Sequence, residues 1–289
     1  MKRLPAGCAA IAAIAAVLIP PAPAGATPAP GGYRHYVALG DSFAAAPLVP
    51  TQNGGSPICL QSVDNGYPAQ LANRLGIRSF RNATCSGAKA QELGTPGPAW
   101  GRGVTPQYQA LSLDTDLVTV TIGANDAGLF TDLMSCVSLQ PGRGCVDRFT
   151  AGGADRLARK VEAAGAAVGV ALAEIHRRAP RARIVVTSYG KYLRPGGCPT
   201  LAAPIQPRDA DYLQATVDRL GDLIAAQAAA HQAAFVDLRT ASRGHDSCAA
   251  ADVRWIEPAI PAAPAAPFHP NARGGAAYAA LIAAALQPA

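Results

Sequence analysis

The sequence is short of charge and of aromatic rings. Of its 289 residues 15% are Asp, Glu, Lys or Arg and 6% are Phe, Trp or Tyr, while 49% are hydrophobic. Globular chains carry roughly 25% charge, so Ala, Gly and Pro stand here where charge would. Few charges with many apolar residues exclude a disordered chain, which has the reverse balance. No second long uncharged apolar run follows the N-terminus, which excludes a polytopic membrane protein. Gly-rich phosphate loops of the Walker or dinucleotide type are missing. So are a C-x-x-C pair and a Cys/His cluster with zinc spacing. A nucleic-acid footprint would need a long basic stripe, whereas the densest group (Arg177, Arg178, Arg181, Arg183) only closes a helical pattern, where cations complement the helix dipole. The charge supports at most peripheral contact with anionic lipid or envelope surfaces, and no nucleic-acid partner.

What is present begins with an export signature. Lys2 and Arg3 form a positive n-region, Leu4 to Ile19 an apolar stretch ended by Pro20-Pro21, and Ala24-Gly25-Ala26 an A-x-A site before Thr27. Residues 1–26 are therefore expected to be a secretory signal peptide, with residues 27–289 forming one domain of an extracellular protein. Cys8 precedes nearly all of the apolar stretch and so is not read as a lipid-attachment site. Removing the two cations Lys2 and Arg3 takes the net charge from +6 to +4. Of the seven cysteines, all but Cys8 lie in the mature chain, and six in an exported chain read as a disulfide framework with 15 possible connectivities. Local pairing, Cys59–Cys85, Cys136–Cys145 and Cys198–Cys248, is the simplest of these.

Strand and helix patterns alternate along the mature chain. Runs at 36–39, 79–82, 117–122, 183–187 and 234–238 read as strands, and 67–75, 155–178, 208–231 and 273–286 as helices, the last started by Asn271. Short apolar strands alternating with helices mean βαβ units, a parallel sheet covered on both faces and a three-layer α/β/α sandwich. Two stretches interrupt the pattern: 131–150, and the Pro-rich 258–267, which is neither helix nor central strand.

Ligands of open α/β sheets bind beyond the carboxyl ends of the strands. Gly40-Asp41-Ser42, Thr84-Cys85-Ser86-Gly87 and Gly123-Ala124-Asn125-Asp126 all follow strand patterns, and Phe268-His269 precedes the last helix. A serine at a helix N-terminus faces backbone N–H groups that favour a developing anion. A histidine from a distant loop can take its proton, and a glycine N–H and an asparagine amide can add oxyanion donors. Ser42, His269, Gly87 and Asn125 fit these four roles. Asp41 and Asp126 read as turn-holding residues, Asp126 as a cap on the segment that follows it.

In these blocks the sequence resembles the SGNH hydrolases, also called GDSL esterases/lipases: Val37-Ala38-Leu39-Gly40-Asp41-Ser42, Cys85-Ser86-Gly87, Ile122-Gly123-Ala124-Asn125-Asp126 and Phe268-His269-Pro270-Asn271 match the family's four blocks in order. The six cysteines further resemble the secreted actinobacterial members, whose three sequential disulfides match the local pairing. The resemblance implies a flavodoxin-like sandwich with a central parallel sheet of about five strands. It also implies Ser42 as nucleophile, His269 as base, and an oxyanion hole of the Ser42 and Gly87 N–H groups with the Asn125 side chain.

One family feature is absent. The position three residues before the histidine usually holds Asp and is Ala266 here, and no acidic residue lies between Glu257 and the C-terminus. By analogy with secreted relatives, the Ala266 main-chain carbonyl is expected to accept from Nδ1 and fix the tautomer, giving a Ser–His dyad; Asp246, Asp252 and Glu257 are the alternative acids. The expected function is that of a secreted serine esterase or lipase needing neither metal nor cofactor, acting as a monomer on ester or lipid small molecules. A phospholipid acyl hydrolase, a carbohydrate O-deacetylase and a catalytically silent envelope-binding homologue are the alternatives.

Overall fold

A computed structural model of the chain describes residues 32–53, 59–96, 104–138, 144–198, 200 and 204–287; the expected signal peptide lies outside them. Five strands are described: β1 (His35–Gly40), β2 (Ser79–Asn82), β3 (Leu117–Thr121), β4 (Arg183–Thr187) and β5 (Ala234–Val236). Eight α-helices accompany them: α1 (Ser42–Ala45), α2 (Tyr67–Arg74), α3 (Leu129–Ser135), α4 (Val146–Thr150), α5 (Arg156–Arg178), α6 (Pro207–Ala230), α7 (Leu238–Ala241) and α8 (Ala272–Ala285). The strands form one sheet in the order β2-β1-β3-β4-β5, every pairing parallel. Helices α5 and α6 pack together on one face and α2 and α8 on the other, completing the expected three-layer sandwich. Among the described residues, no helix is long and apolar enough to cross a membrane.

The central strands β1, β3 and β4 are buried on both faces, which is why they read as continuous apolar runs, while the edge strand β2 stays partly exposed. All five residues of β3 are buried. Its two threonines would be costly there without partners. Thr119 Oγ1 lies 2.6 Å from the Tyr36 hydroxyl, and Thr121 Oγ1 lies 2.9 Å from that of Tyr67 and 2.6 Å from Thr187 Oγ1. The hydroxyls therefore satisfy one another across β1, α2, β3 and β4. Abundant Ala and Gly let the long helices approach closely: α5 buries Ala164, Gly165, Val168, Gly169, Ala171 and Leu172, and a Cβ on Gly165 would sit 2.9 Å from that of Leu223 on α6.

Several helix starts carry side-chain caps. Asp155 accepts from the Ala158 N–H at α5, and Asn271 from the Gly274 N–H at α8. The stretch 131–150, expected to interrupt the pattern, instead carries the end of α3 and all of α4. The Pro-rich stretch 258–267 holds neither helix nor strand.

Cysteines 59 and 85, 136 and 145, and 198 and 248 are bonded. Each bond braces a connection at the carboxyl edge of the sheet: the loop after β2, the segment joining α3 to α4, and the segment after β4. Cross-links of this kind each stabilise a chain by about 2–4 kcal/mol.

At Gly40 the backbone of β1 closely approaches that of β3: φ is +143° and a Cβ would lie 2.5 Å from the Thr121 carbonyl oxygen. Both the angle and the space require glycine. Gly40→Ala is expected to cost about 3 kcal/mol or more, in the range of strained-backbone and overpacking changes. That is a fall in Tm of about 6 °C or more for a chain of this size, read by thermal unfolding under circular dichroism.

Candidate active site

The β1–β3 boundary is where strand order reverses, since β2 pairs on one side of β1 and β3 on the other. This is the position at which doubly wound sheets bind ligands. β1 runs directly into the turn Gly40-Asp41-Ser42. The Asp41 N–H donates to the Thr121 carbonyl (3.0 Å), and Asp41 Oδ1 caps α1 by accepting from the Phe43 N–H (2.9 Å). Gln107 holds the turn from the other side, its amide bonded to both the N–H and the carbonyl of Gly40 at 2.8 and 2.9 Å. Ser42 is thus the first residue of a helix, and its N–H has no acceptor among the described residues.

The expected oxyanion donors come to the same edge. Gly87, at φ +81°, follows Cys85, whose N–H donates to the Gly40 carbonyl (3.0 Å). The Gly87 N–H, like that of Ser42, has no acceptor among the described residues. The Asn125 amide donates to the Ala88 carbonyl (3.0 Å), which uses one of its two protons and anchors it to the Gly87 loop. Asp126 does not cap the segment that follows it, because the N-cap of α3 is Gly128, in a left-handed conformation and without a side-chain cap. Its carboxylate turns back instead, accepting from Ala90 N–H (2.9 Å) and Gln91 N–H (3.5 Å). It therefore fastens the third motif to the second. Burial raises the Asp126 pKa, opposed by those two N–H groups.

His269 reaches the serine from the far side of the sequence. Its Nε2 lies 2.7 Å from Ser42 Oγ, and its Nδ1 2.7 Å from the Pro267 carbonyl oxygen. A carbonyl only accepts, so in the neutral ring Nδ1 carries the proton and Nε2 is free to accept from the serine hydroxyl. The orienting carbonyl is therefore that of Pro267 and not the expected Ala266. The Ala266 carbonyl is occupied by the main-chain N–H of His269 (3.1 Å), closing a tight turn in which Phe268 sits at φ +54°. A bulky residue in that region is strained. Its ring, 1% exposed, is held by the core, and its N–H donates to the Glu257 carbonyl (3.1 Å).

None of the alternative acids contacts the imidazole. The Glu257 carboxylate is wholly buried and accepts from the N–H groups of Ala262 and Ala263 and from the Asn271 amide at 3.0, 3.2 and 2.7 Å. It folds the Pro-rich loop around itself. Asp246 accepts from Arg194 and from Cys248 N–H, and Asp252 is exposed. His269 is 7% exposed, with the Phe130 ring against it at 5.2 Å. Burial pushes its pKa down to about 4, against a smaller upward pull from the Pro267 carbonyl. The other histidines sit elsewhere: His176 bonds the His231 carbonyl, His35 meets Ser79 Oγ, and His245 stacks on Trp255.

A cleft opens beside Ser42, Asn125 and His269. Leu129, Phe130 and Leu133 of α3 form one wall, Tyr192 and Leu193 another, and Leu213 and Val217 of α6 the third. Gly87 does not line it. The contribution of α6 is not legible in the sequence. Tyr189 also lines the cavity and escapes sequence reasoning, although it stands two residues past β4, at the same sheet edge as the four motifs. The arrangement supplies a serine hydroxyl hydrogen-bonded to a neutral imidazole, a Ser42 N–H with no acceptor among the described residues, and a largely apolar cavity.

The chain matches the model of the GDSL-like lipase/acylhydrolase family over residues 38–277. It is 34% identical to Lipase 2 of Streptomyces coelicolor over 261 residues, 88% of this chain and 84% of that lipase. It is 32% identical to a lipase of Streptomyces rimosus over 83% of this chain and 81% of that one. Among solved structures it is similar to phospholipase A1 from Streptomyces albidoflavus, with a TM-score of 0.72 and 26% identity over 88% of this chain and 99% of the other. The extracellular lipase from Streptomyces rimosus aligns equally well, with a TM-score of 0.72 and 28% identity over 87% and 99%. The parallel five-stranded sheet, the ordered motifs and these likenesses converge: the chain belongs to the GDSL-like lipase/acylhydrolase family and is a carboxylic ester hydrolase.

Proposed function

We propose that this protein is an exported serine esterase or lipase whose acyl-enzyme forms on Ser42, with His269 as general base in a Ser–His dyad. The observation that carries the reading is the relay from Ser42 Oγ to His269 Nε2 and from Nδ1 to the Pro267 carbonyl, both steps 2.7 Å. Ser42 Oγ attacks the ester carbonyl as Nε2 takes its proton. The carbonyl oxygen becomes an anion that the Ser42 and Gly87 N–H groups and the second Asn125 amide proton stabilise. His269 then returns the proton to the leaving alcohol, and water releases the acid by the same steps in reverse. The apolar cavity suits the acyl chain. Disulfides, the n-region and apolar stretch at residues 2–19, and the extracellular lipase among its relatives support export with cleavage after residue 26. The likeness to a phospholipase A1 favours, as a second reading, acyl esters of phospholipids among the substrates.

Ser42→Ala is expected to lower kcat on a p-nitrophenyl ester by about 10⁴-fold or more, the scale at which a nucleophile of this type fails. Activity surviving that change would refute the nucleophile. Amide replacements at Asp246, Asp252 and Glu257, made singly, are each expected to stay well short of the ~10⁴-fold loss that neutralising a triad acid causes. A loss of that size at one of them would overturn the dyad.

The pH dependence follows from the burial of His269. Because only its neutral form accepts from Ser42, kcat/KM should fall on acidification with an apparent pKa near the value of about 4 set by that burial, not near 6.5. Stability has the same sign. The unfolded chain protonates His269 first as pH drops below about 6.5. The histidine's contribution to folding is therefore lost between about 6.5 and about 4. A kcat/KM profile between pH 3.5 and 8 with an acid limb near 6.5 would place the ring in a solvated or carboxylate-paired setting (about the ordinary histidine value).

A further inference from the structure

Tyr189 is tied to both sides of the strand boundary. It follows β4, is 2% exposed, and its ring meets Phe43 edge-on at 5.3 Å. Its hydroxyl donates to Asp41 Oδ2 at 2.5 Å and accepts from the Ala124 N–H at 2.9 Å. Asp41 is the residue before Ser42, and Ala124 the residue before Asn125. One phenol oxygen thus joins the nucleophile turn to the asparagine turn, and through the Asn125–Ala88 bond to the Gly87 loop.

We propose, building on the esterase reading of Ser42, that Tyr189 is a positioning residue. Its hydroxyl sets the separation of the Ser42 N–H from the Asn125 amide and thereby the geometry of the oxyanion hole. The chemistry of the link is one-directional. Ala124 presents an N–H, so the phenol oxygen must accept there, and its single proton is left for Asp41. Burial, and then the neighbouring Asp41 charge, hold the tyrosine well above its ordinary pKa, so that it stays the donor. Burial likewise raises Asp41 to about 7, with the Tyr189 hydroxyl and then the Phe43 N–H as the main opposing pulls. The groups that face this carboxylate are Tyr189, the Phe43 N–H and, at longer range, Asp126, Tyr67 and Tyr192. Without the hydroxyl, the Asp41 carboxylate loses one of its two donors and the half-buried Ala124 N–H loses its acceptor, which two adjoining turns relieve by moving.

The test is Tyr189→Phe, assayed with a short-chain p-nitrophenyl ester in wild-type and Asn125→Ala backgrounds. In the wild-type background kcat should fall about 10- to 100-fold with KM changed less than about threefold, below the ~10²–10³ cost of deleting a donor outright because the donors are displaced rather than removed. In the Asn125→Ala background the same change should cost less than about threefold, since the donor it aligns is already gone. Equal losses in both backgrounds would overturn the proposal. So would a rise in KM alone, which marks a pocket-lining role, or an unchanged kcat with a lower Tm, which marks a structural one. If Tyr189→Phe yields no folded protein, Asp41→Asn, which replaces the Oδ2 acceptor with a donor of the same shape, carries the same cycle. A kcat loss that disappears with Asn125→Ala supports the link, and a loss that persists refutes it. Failure of the esterase reading itself is separable, because it shows as undiminished turnover by Ser42→Ala whatever Tyr189 does.

Discussion

Gly40 of β1 pairs in register with Thr121 of β3, and the rest of the site hangs from that pairing. Both strands end there, so the chain leaves the sheet at two adjacent points and in the same direction. With no side chain at Gly40, the β1 backbone approaches the Thr121 carbonyl closely enough for Asp41 to donate to it. Ser42 then becomes the first residue of a helix, where peptide N–H groups point outward and favour negative charge. The buried hydroxyls of Thr121, Thr187 and Tyr67 lie just below. They keep the ends of β3 and β4 level and spare the sheet unpaired polar groups. The three disulfides act at the same edge, and the one at Cys198–Cys248 braces the segment after β4 that carries Tyr192 and Leu193 into the cavity wall.

The histidine loop answers a different constraint, orienting an imidazole without a carboxylate. Glu257 is buried close by, but its charge is directed at Arg254, at loop N–H groups and at Asn271, which also caps α8. The result is a loop rigid enough to hold Phe268 in a left-handed conformation and to aim the Pro267 carbonyl at Nδ1. A carbonyl dipole stabilises imidazolium less than a full negative charge would. The buried ring is correspondingly a weak base, neutral and ready at neutral pH, with a steeper climb to its charged form. In the proposed mechanism more of the barrier is then lowered by the oxyanion donors, whose preorganised dipoles do most to stabilise the transition state in reactions of this kind. That is why the tie between the Ser42 and Asn125 turns matters.

Much of this was legible in the sequence because its signals are local. β-branched runs marked the buried strands, and Gly-Asp-Ser, Gly-Ala-Asn-Asp and the histidine before a capped helix stood at strand ends or a helix start, where the fold places chemistry. Long-range partners carry no such signal. Asp126 reads as a cap for the segment after it, yet its carboxylate points to residues 90 and 91, because the loop after β2 comes closer in space than α3 does. The shift from Ala266 to Pro267 turns on one left-handed φ at Phe268, a residue whose type argues against it. Leu213 and Val217 look like ordinary core positions of α6 until the loop at 192–193 opens a cavity against them. Tyr189 obeys the same strand-end rule as the motifs and lacks only a polar neighbour pattern to draw notice.

A covalent acyl-enzyme on Ser42, formed by a dyad, can be checked by intact-protein and peptide mass spectrometry after treatment with an alkyl fluorophosphonate. A single stoichiometric adduct is expected, on the peptide carrying Ser42. Labelling should be abolished in Ser42→Ala and slowed by orders of magnitude in His269→Ala, where the proton acceptor is gone. An adduct on another residue, or labelling that proceeds unchanged without His269, would contradict the dyad.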